Sequence, residues 1–454
     1  MSCEEHTRAQ LLRRAAAGRG LPGIEPGMPA PAGTGLTRRS LVLSGLGLSL
    51  TLFGGRALAP EAMTEAAMAA AAPDQPVLVS VFLSGGVDTL SLLPPLADAR
   101  YNRTLRPNLL VDRDSTLPLR GSTKMGWHPE AAAFKRLHDR GRMVLLPSVG
   151  YAGPNQSHFT SRHFYEVGAT DPNGRTGWLG RLIDVIGDEH NPIQGLTLGR
   201  TLSPALATES KAVAAVDAPA AYDFDTPGIY GPPYKTELLR AFGELSALSS
   251  TDPVLGLVRE TYRDAVDLRT ALARPLPAGT VAYPDNPLGA KLRDLARLLG
   301  AGLPIRCAAI DAHADFDTHA NQADVFAGQV AGVGAALEAF QADLEARSAA
   351  LAGRVLTLAW SEFGRRPEEN GSVGTDHGAA GLAMVLGTRV RGTAAGGGFI
   401  GAYPGLGVLD PDGNLRRTAD FRGLYCSVLE QWFDQDAAQL IPGAAKLPRY
   451  AVVV

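Results

Sequence analysis

The sequence predicts an α/β protein with a doubly wound, mostly parallel sheet and helices on both faces. Three observations carry that expectation. Short apolar runs, of which Val77–Leu83 is the clearest, alternate with longer amphipathic stretches, the order that strand–crossover–strand units require. The runs are continuously apolar instead of alternating, as strands covered on both faces are. Hydrophobic residues make up 45% of the chain and charged residues 20%, enough for a large core.

The elements follow in order. Val77–Leu83 reads as a buried strand. Pro129–Asp139 reads as a helix, with proline in its first turn and Gly141 just past its end. Met143–Pro147 is the next strand, and Leu179–Ile186 a further helix. Helical periodicity runs from Lys235 to Leu272, broken at Pro253. Leu288–Leu299 is a helix, Arg306–Ile310 a strand, and Asn321–Leu351 a long Ala-rich helix. Val355–Ala359 and Ala383–Gly387 are strands, and Asp420–Phe433 closes the chain as a helix. The segments 103–127 and 191–233, rich in Pro, Gly and Thr, read as excursions over the sheet edge or site. The Gly396-Gly397-Gly398 run reads as a tight turn. No internal repeat is visible.

The N-terminal stretch is expected to be a leader. Arg38-Arg39 precede a short, weakly apolar run, Leu41–Phe53, too short for the about 20 residues that a bilayer span needs. This is the pattern of a twin-arginine export signal. Ala57-Leu58-Ala59 and the run Ala69–Ala72 are the candidate cleavage sites. Residues 1–72 are therefore assigned to the leader and 73–454 to a single α/β domain. The translocase is the expected partner in export, and the periplasm or exterior the expected location, with no stable membrane span in the mature chain. A net charge of −3 with no long basic run after the leader excludes nucleic acid as a partner. Cys307 and Cys426 read as buried thiols; a disulfide between them stays open, and no Cys-x-x-Cys is present.

Ligands of such sheets bind beyond the carboxyl ends of the strands. After the first strand comes Gly85-Gly86-Val87-Asp88, where Asp88 is either a site carboxylate or a helix cap. After the second comes Ser157-His158-Phe159, with Arg162 and His163 close behind. Ser157 is either a nucleophile or the cap of a helix through Phe164, and Arg162 is a candidate anion clamp. Asp311-Ala312-His313-Ala314-Asp315-Phe316-Asp317-Thr318-His319 is the densest cluster of carboxylates and imidazoles in the chain. Its mixture of oxygen and nitrogen donors suits Zn, Mn or Fe better than Ca or Mg. Ser361-Glu362-Phe363-Gly364-Arg365 and Gly374-Thr375-Asp376-His377-Gly378 follow the next strand, and adjacent Asp and His in one tight loop suit metal binding.

These blocks, in this order, resemble an exported bacterial family of unknown function, the domain numbered fifteen-oh-one. The matching stretches are Gly85–Asp88, Ser157–Phe159, Phe316–Gln322, Ser361–Arg365 and Gly374–Gly378, so the resemblance spans nearly all of the mature chain. That family is in turn similar to the alkaline phosphatase and sulfatase superfamily, which implies one or two divalent ions. Carried over residue by residue, the resemblance implies one ion on Asp88, Asp376 and His377, and Ser157 as the nucleophile. It implies a second ion on Asp317 and His319, with Asp315 at the more usual spacing. Arg162 or Arg365 would neutralise the substrate oxygens. No His follows His377, where the superfamily usually supplies one, so the second ion is expected to be weakly held, differently ligated or absent. His313, His128 and Glu362 are the candidate substitutes. The implied function is metal-dependent hydrolysis of a phosphate or sulfate ester, on a small molecule or polysaccharide. The alternative is a non-catalytic exported metal protein that binds cell-envelope polysaccharide or a protein partner.

Overall fold

The computed structural model describes residues 28–33, 51–53, 75–188, 191–219, 232–248, 251, 256, 259, 276–393 and 397–454. Arg38, Arg39 and the candidate cleavage sites lie outside the described residues. In chain order the strands are β1 (Thr51–Phe53), β2 (Val77–Phe82), β3 (Leu117–Pro118), β4 (Gly126–Trp127), β5 (Met143–Gly150), β6 (Gly195–Thr197), β7 (Val213–Ala215), β8 (Cys307–Asp311), β9 (Val355–Trp360), β10 (Gly381–Leu386) and β11 (Ala419–Asp420). The helices are α1 (Thr89–Leu92), α2 (Ala132–Asp139), α3 (His158–Val167), α4 (Trp178–Ile186), α5 (Pro232–Ala247), α6 (Pro287–Gly300), α7 (Gln322–Arg347), α8 (Ala349–Gly353) and α9 (Phe421–Phe433). None of the described helices is long and apolar enough to cross a membrane.

Where the sequence suggests one domain from residue 73, the folded chain groups into two compact units, each drawn from separate segments. The first takes residues up to 77, 173–278 and 297–309. Its strands lie in the order β1-β7-β6-β8, with β6 parallel to β7 and β8, and β1 antiparallel to β7. β6 and β7 come from the segment 191–233, read from sequence as an excursion. Their three-residue runs, Gly-Leu-Thr and Val-Ala-Ala, are too short to show a period, yet all six residues are buried. α4 supplies the core with Trp178, Leu179, Leu182 and Ile183, all fully buried.

The second unit takes residues 78–172, 279–296 and 310–454, and it holds every candidate site residue. Its strand order is β2-β9-β10-β5-β11. β10 runs antiparallel to β9 and β5, with a bulge between Gly381 and Ala383, and β11 runs parallel to β5. Each residue of β2, β5, β9 and β10 is buried. Since side chains alternate faces along a strand, full burial means that both faces are covered. The α/β class with a mostly parallel sheet holds, and the reversals of β1 and β10 are the departures from the expected pattern. α7 buries Phe326, Val330, Val333, Leu337, Phe340 and Leu344 at alternating spacings of four and three, one helix face turned to the core. The expected helix to Leu351 breaks at Ser348. That residue is extended, and its side chain accepts from Leu351 N at 3.0 Å to cap α8.

Candidate metal centre

The site grows from turns at the ends of β2, β8 and β9 and from the start of α3. Gly85 and Gly86 follow β2 with φ of +102° and +80°, and a Cβ on Gly85 would lie 2.2 Å from Asp317 N. Glycine is therefore required there both for the turn and for the close approach of the Asp317 segment. A Cβ on Gly374 would meet the His319 carbonyl carbon at 2.3 Å, so the loop carrying Asp376 and His377 seats on the loop carrying His319. Arg365 and His377 face each other across an antiparallel bridge.

These turns bring three imidazoles around one carboxylate. Among the described residues, His158, Asp317 and His377 form the group whose donor atoms all lie within 4.8 Å of one another. His377 Nε2 is 3.2 Å from Asp317 Oδ1, and His158 Nε2 is 3.5 Å from Oδ2. His319 Nε2 is 3.0 Å from Oδ1 and 2.9 Å from His377 Nε2. Each opposite ring nitrogen has an acceptor. His158 Nδ1 meets Glu362 Oε1 at 2.8 Å, His377 Nδ1 the Gln156 carbonyl at 2.8 Å, and His319 Nδ1 Asp376 Oδ1 at 3.3 Å. A carbonyl oxygen can only accept, so His377 Nδ1 carries a proton and donates it to Gln156, and Nε2 is turned toward His319 and Asp317.

This arrangement fits a metal ion. Zinc–nitrogen and zinc–oxygen bonds of about 2.0–2.1 Å make a tetrahedral ligand–ligand edge of roughly 3.3 Å, and the donor separations fall on either side of that value. Ligating histidines commonly donate the other ring N–H to a carboxylate or carbonyl, as these rings are set to do. Burial alone would raise the Asp317 carboxyl. His158, His377 and the Arg365 guanidinium outweigh it and hold Asp317 far below the usual carboxylate range. Asp376 is held below its ordinary value by the Asn370 amide, whose Nδ2 donates to it at 3.0 Å, and by His319. His319 and Asp376 form the exposed rim, at 45% and 55% side-chain exposure.

The remaining candidates have other surroundings. Asp88 caps α1 and is fully buried. Its Oδ2 accepts from Arg106 Nη1, Ser91 Oγ and Gln322 Nε2, each at 2.6 Å, and its Oδ1 from Arg106 Nη2 at 3.0 Å and Leu90 N at 3.1 Å. Burial opposes its charge, but Arg106 keeps the carboxyl below the usual range. The cation beside Asp88 is thus a guanidinium, and Asp88 stands apart from the His158–Asp317–His377 group. Gln322 connects the two places, since its Oε1 accepts from Thr318 Oγ1 at 2.9 Å and Thr375 Oγ1 at 2.6 Å. Ser157 caps α3, accepting from Thr160 N at 3.3 Å. Arg162 donates to Glu166 Oε1 at 2.9 Å and Asp311 Oδ2 at 3.3 Å, and lies 3.9 Å from the Phe82 ring centroid. Arg365 is buried and donates to the carbonyls of Gly85, Gly86 and Thr375 and to Asp317. Asp315 Oδ1 accepts from Asp317 N at 3.1 Å and shapes the turn. Of the weighed substitutes, His313 faces Lys291 Nζ at 2.6 Å and His128 packs on Phe326. Glu362 alone reaches the cluster.

Sequence reasoning singled out His158 beside Ser157 without giving it a ligand role, and gave none to Arg106 or Gln322. His158 follows a capping Ser at a strand's carboxyl end, the rule that found the other donors, and Gln322 stands inside the block that begins at Phe316. Arg106 lies in a loop with no local signal.

Residues 293–413 match the model of a family described as protein of unknown function, DUF1501. Over that stretch the chain is similar to the DUF1501 family. The matched stretch contains Asp317, His319, Glu362, Arg365, Asp376 and His377, whereas Asp88, Ser157 and His158 precede it. No curated protein matches the chain. Among solved structures, the chain is similar to the PsFucS1 sulfatase from Pseudoalteromonas sp., with 11% identity, a TM-score of 0.35, and coverage of 86% of this chain and 78% of that one. It is also similar to a His-to-Asp mutant of TAB5 alkaline phosphatase with Mg bound in its M3 site. The identity there is 11%, the TM-score 0.30, and the coverage 69% of this chain and 91% of that one.

Proposed function

We propose that the chain is an exported, metal-dependent hydrolase of phosphate or sulfate esters, working with one divalent ion held by His158, Asp317 and His377. The observation that carries the reading is the convergence of three Nε2 atoms on the Asp317 carboxylate, each ring anchored from behind through Nδ1. A divalent ion at such a site supplies Lewis acidity toward an ester oxygen. The chain's own groups do the rest. His319, on the exposed rim with Nδ1 toward Asp376, is placed to hold or give a proton at Nε2 to a leaving oxygen. Ser157, whose Oγ caps α3, is the nucleophile that the motif resemblance implies. The ester class comes from the motif resemblance, and export from the Arg38-Arg39 leader.

A single ion is the preferred stoichiometry because Arg106 already neutralises Asp88. A panel of nitrophenyl phosphate mono- and diesters and a sulfate ester, run on metal-loaded protein with and without chelator, tests the reading. Turnover should disappear with chelator and in His377→Gln. Metal-loaded protein that turns over none of the panel would favour the second reading, a non-catalytic metal protein that binds polysaccharide or a protein partner. One observation favours that alternative: the guanidiniums of Arg106, Arg162 and Arg365 all serve internal carboxylates and carbonyls. Fusing residues 1–72 to a reporter that crosses only the twin-arginine route tests export; retention of the reporter inside the cell would refute it.

A further inference from the structure

Glu362 is a buried carboxylate with an unusual set of partners. Its side chain is fully buried. Oε1 lies 2.8 Å from His158 Nδ1 and accepts from Gly85 N at 2.9 Å, and Oε2 lies 2.9 Å from Ser361 Oγ. Among the described residues, no Arg or Lys side chain hydrogen-bonds to it. A buried carboxylate is costly unless positive charge compensates it. Among the described residues, the group able to carry positive charge that contacts Glu362 is the His158 ring, whose far nitrogen faces Asp317.

We propose that Glu362 is the positioning residue of the metal centre. It fixes the His158 ring with Nε2 toward the ion and, through the Gly85 N–H, ties the turn after β2 to the same ring. This inference rests on the metal reading above and adds to it the group that sets the strength of the His158 donor. A carboxylate behind a ligating imidazole orients the ring and raises its basicity, and loss of such a partner typically weakens metal binding by about 10–100-fold. Gly85 also packs on the Asp317 backbone, so one carboxylate holds two of the segments that must converge.

The test is a double-mutant cycle in metal affinity. Co(II) or Zn(II) is titrated at fixed pH against a chromophoric chelator, using full-length wild type, Glu362→Gln, His158→Asn and the double variant. Circular dichroism checks that each is folded. Glu362→Gln should weaken binding by about 10–100-fold in the wild-type background and have little further effect beside His158→Asn. Unchanged affinity in Glu362→Gln, or an equal loss in both backgrounds, would overturn the proposal. If Glu362→Gln fails to fold, Glu362→Asp keeps the charge and shortens the reach. It too should weaken binding, and wild-type affinity in it would also overturn the proposal. Absence of metal uptake by wild type is a different result, which removes the metal reading itself.

Discussion

Replacing Asp88 by Asn separates two roles that the sequence left open. The structure surrounds this carboxylate with five donors: two from Arg106 and one each from Ser91, Gln322 and Leu90. Arg106 itself is fully buried and further tied to the carbonyls of Pro367 and Arg366 at 2.7 and 3.1 Å. An Asn at this position keeps one acceptor oxygen. Its amide N–H groups would face Arg106 Nη1 or Gln322 Nε2, both donors, and the guanidinium would stay buried without a counter-charge. Removing one partner of a buried ion pair costs about 3–5 kcal/mol. Against a total stability of about 5–15 kcal/mol, that loss is plain in an unfolding curve. The assay has two arms, urea unfolding followed by circular dichroism and elemental analysis of the folded protein. Asp88→Asn should lower the unfolding midpoint and leave the metal content per chain unchanged. The reverse result, stability within 1 kcal/mol of wild type and loss of metal, would refute the structural role and restore Asp88 as a ligand.

Asp317→Asn should show the opposite pattern. It should lose metal affinity by more than the about 10–100-fold that an outer partner is worth, because it removes a ligand charge. A variant that keeps its metal would remove Asp317 from the site. Adding metal at 100 times its dissociation constant should stabilise the wild-type protein by about 2.7 kcal/mol, read as a thermal shift that chelator reverses. The carboxyls of Asp88, Asp311, Asp317 and Glu362 are all held below their ordinary values by cationic or N–H partners that outweigh burial. Their folded pKa values lie below the unfolded ones. The stability they contribute is therefore present above about pH 4 and lost as pH falls through the lower folded values. Urea midpoints that stay level down to pH 3 would contradict this. His138 titrates on the other side. Burial against Trp127 and Phe399 holds its imidazole below 6.5, so its contribution should fall as pH drops below about 6.5. His138→Phe should flatten that limb. Cys307 and Cys426 are free and buried, and burial pushes their thiols up to about 12 and about 11. Neither should react with a thiol reagent until the protein is unfolded.

The sheet was legible because buried strands declare themselves as unbroken apolar runs. Val77–Phe82, Val355–Trp360 and Met143–Gly150 needed only burial to be read. β6 and β7 were not, because three residues hold no period. The direction of β10 was hidden because a fully buried strand reads alike in either orientation. Donor-rich segments were legible for a similar reason: Asp317, His319, Asp376 and His377 stand together in short polar turns after apolar runs. The partner of each donor was a different matter. Whether Asp88 faces an ion or an arginine depends on Arg106, eighteen residues away in a loop without periodicity, and a local reading has no access to that pairing. The same holds at the start of α3. Ser157 and His158 are neighbours, and the sequence offers the hydroxyl as readily as the imidazole. Helix geometry decides between them. An N-cap side chain folds back to its own backbone, as Ser157 does to Thr160 N, while His158 turns out to meet Asp317 and Glu362. Exchanging the two roles gives a direct check. Ser157→Asp keeps a capping oxygen and should preserve the fold and metal affinity, whereas His158→Asn keeps the helix start and should bind metal measurably more weakly. If Ser157→Asp weakened metal binding and His158→Asn left it at the wild-type value, the assignment of the imidazole as donor would be wrong.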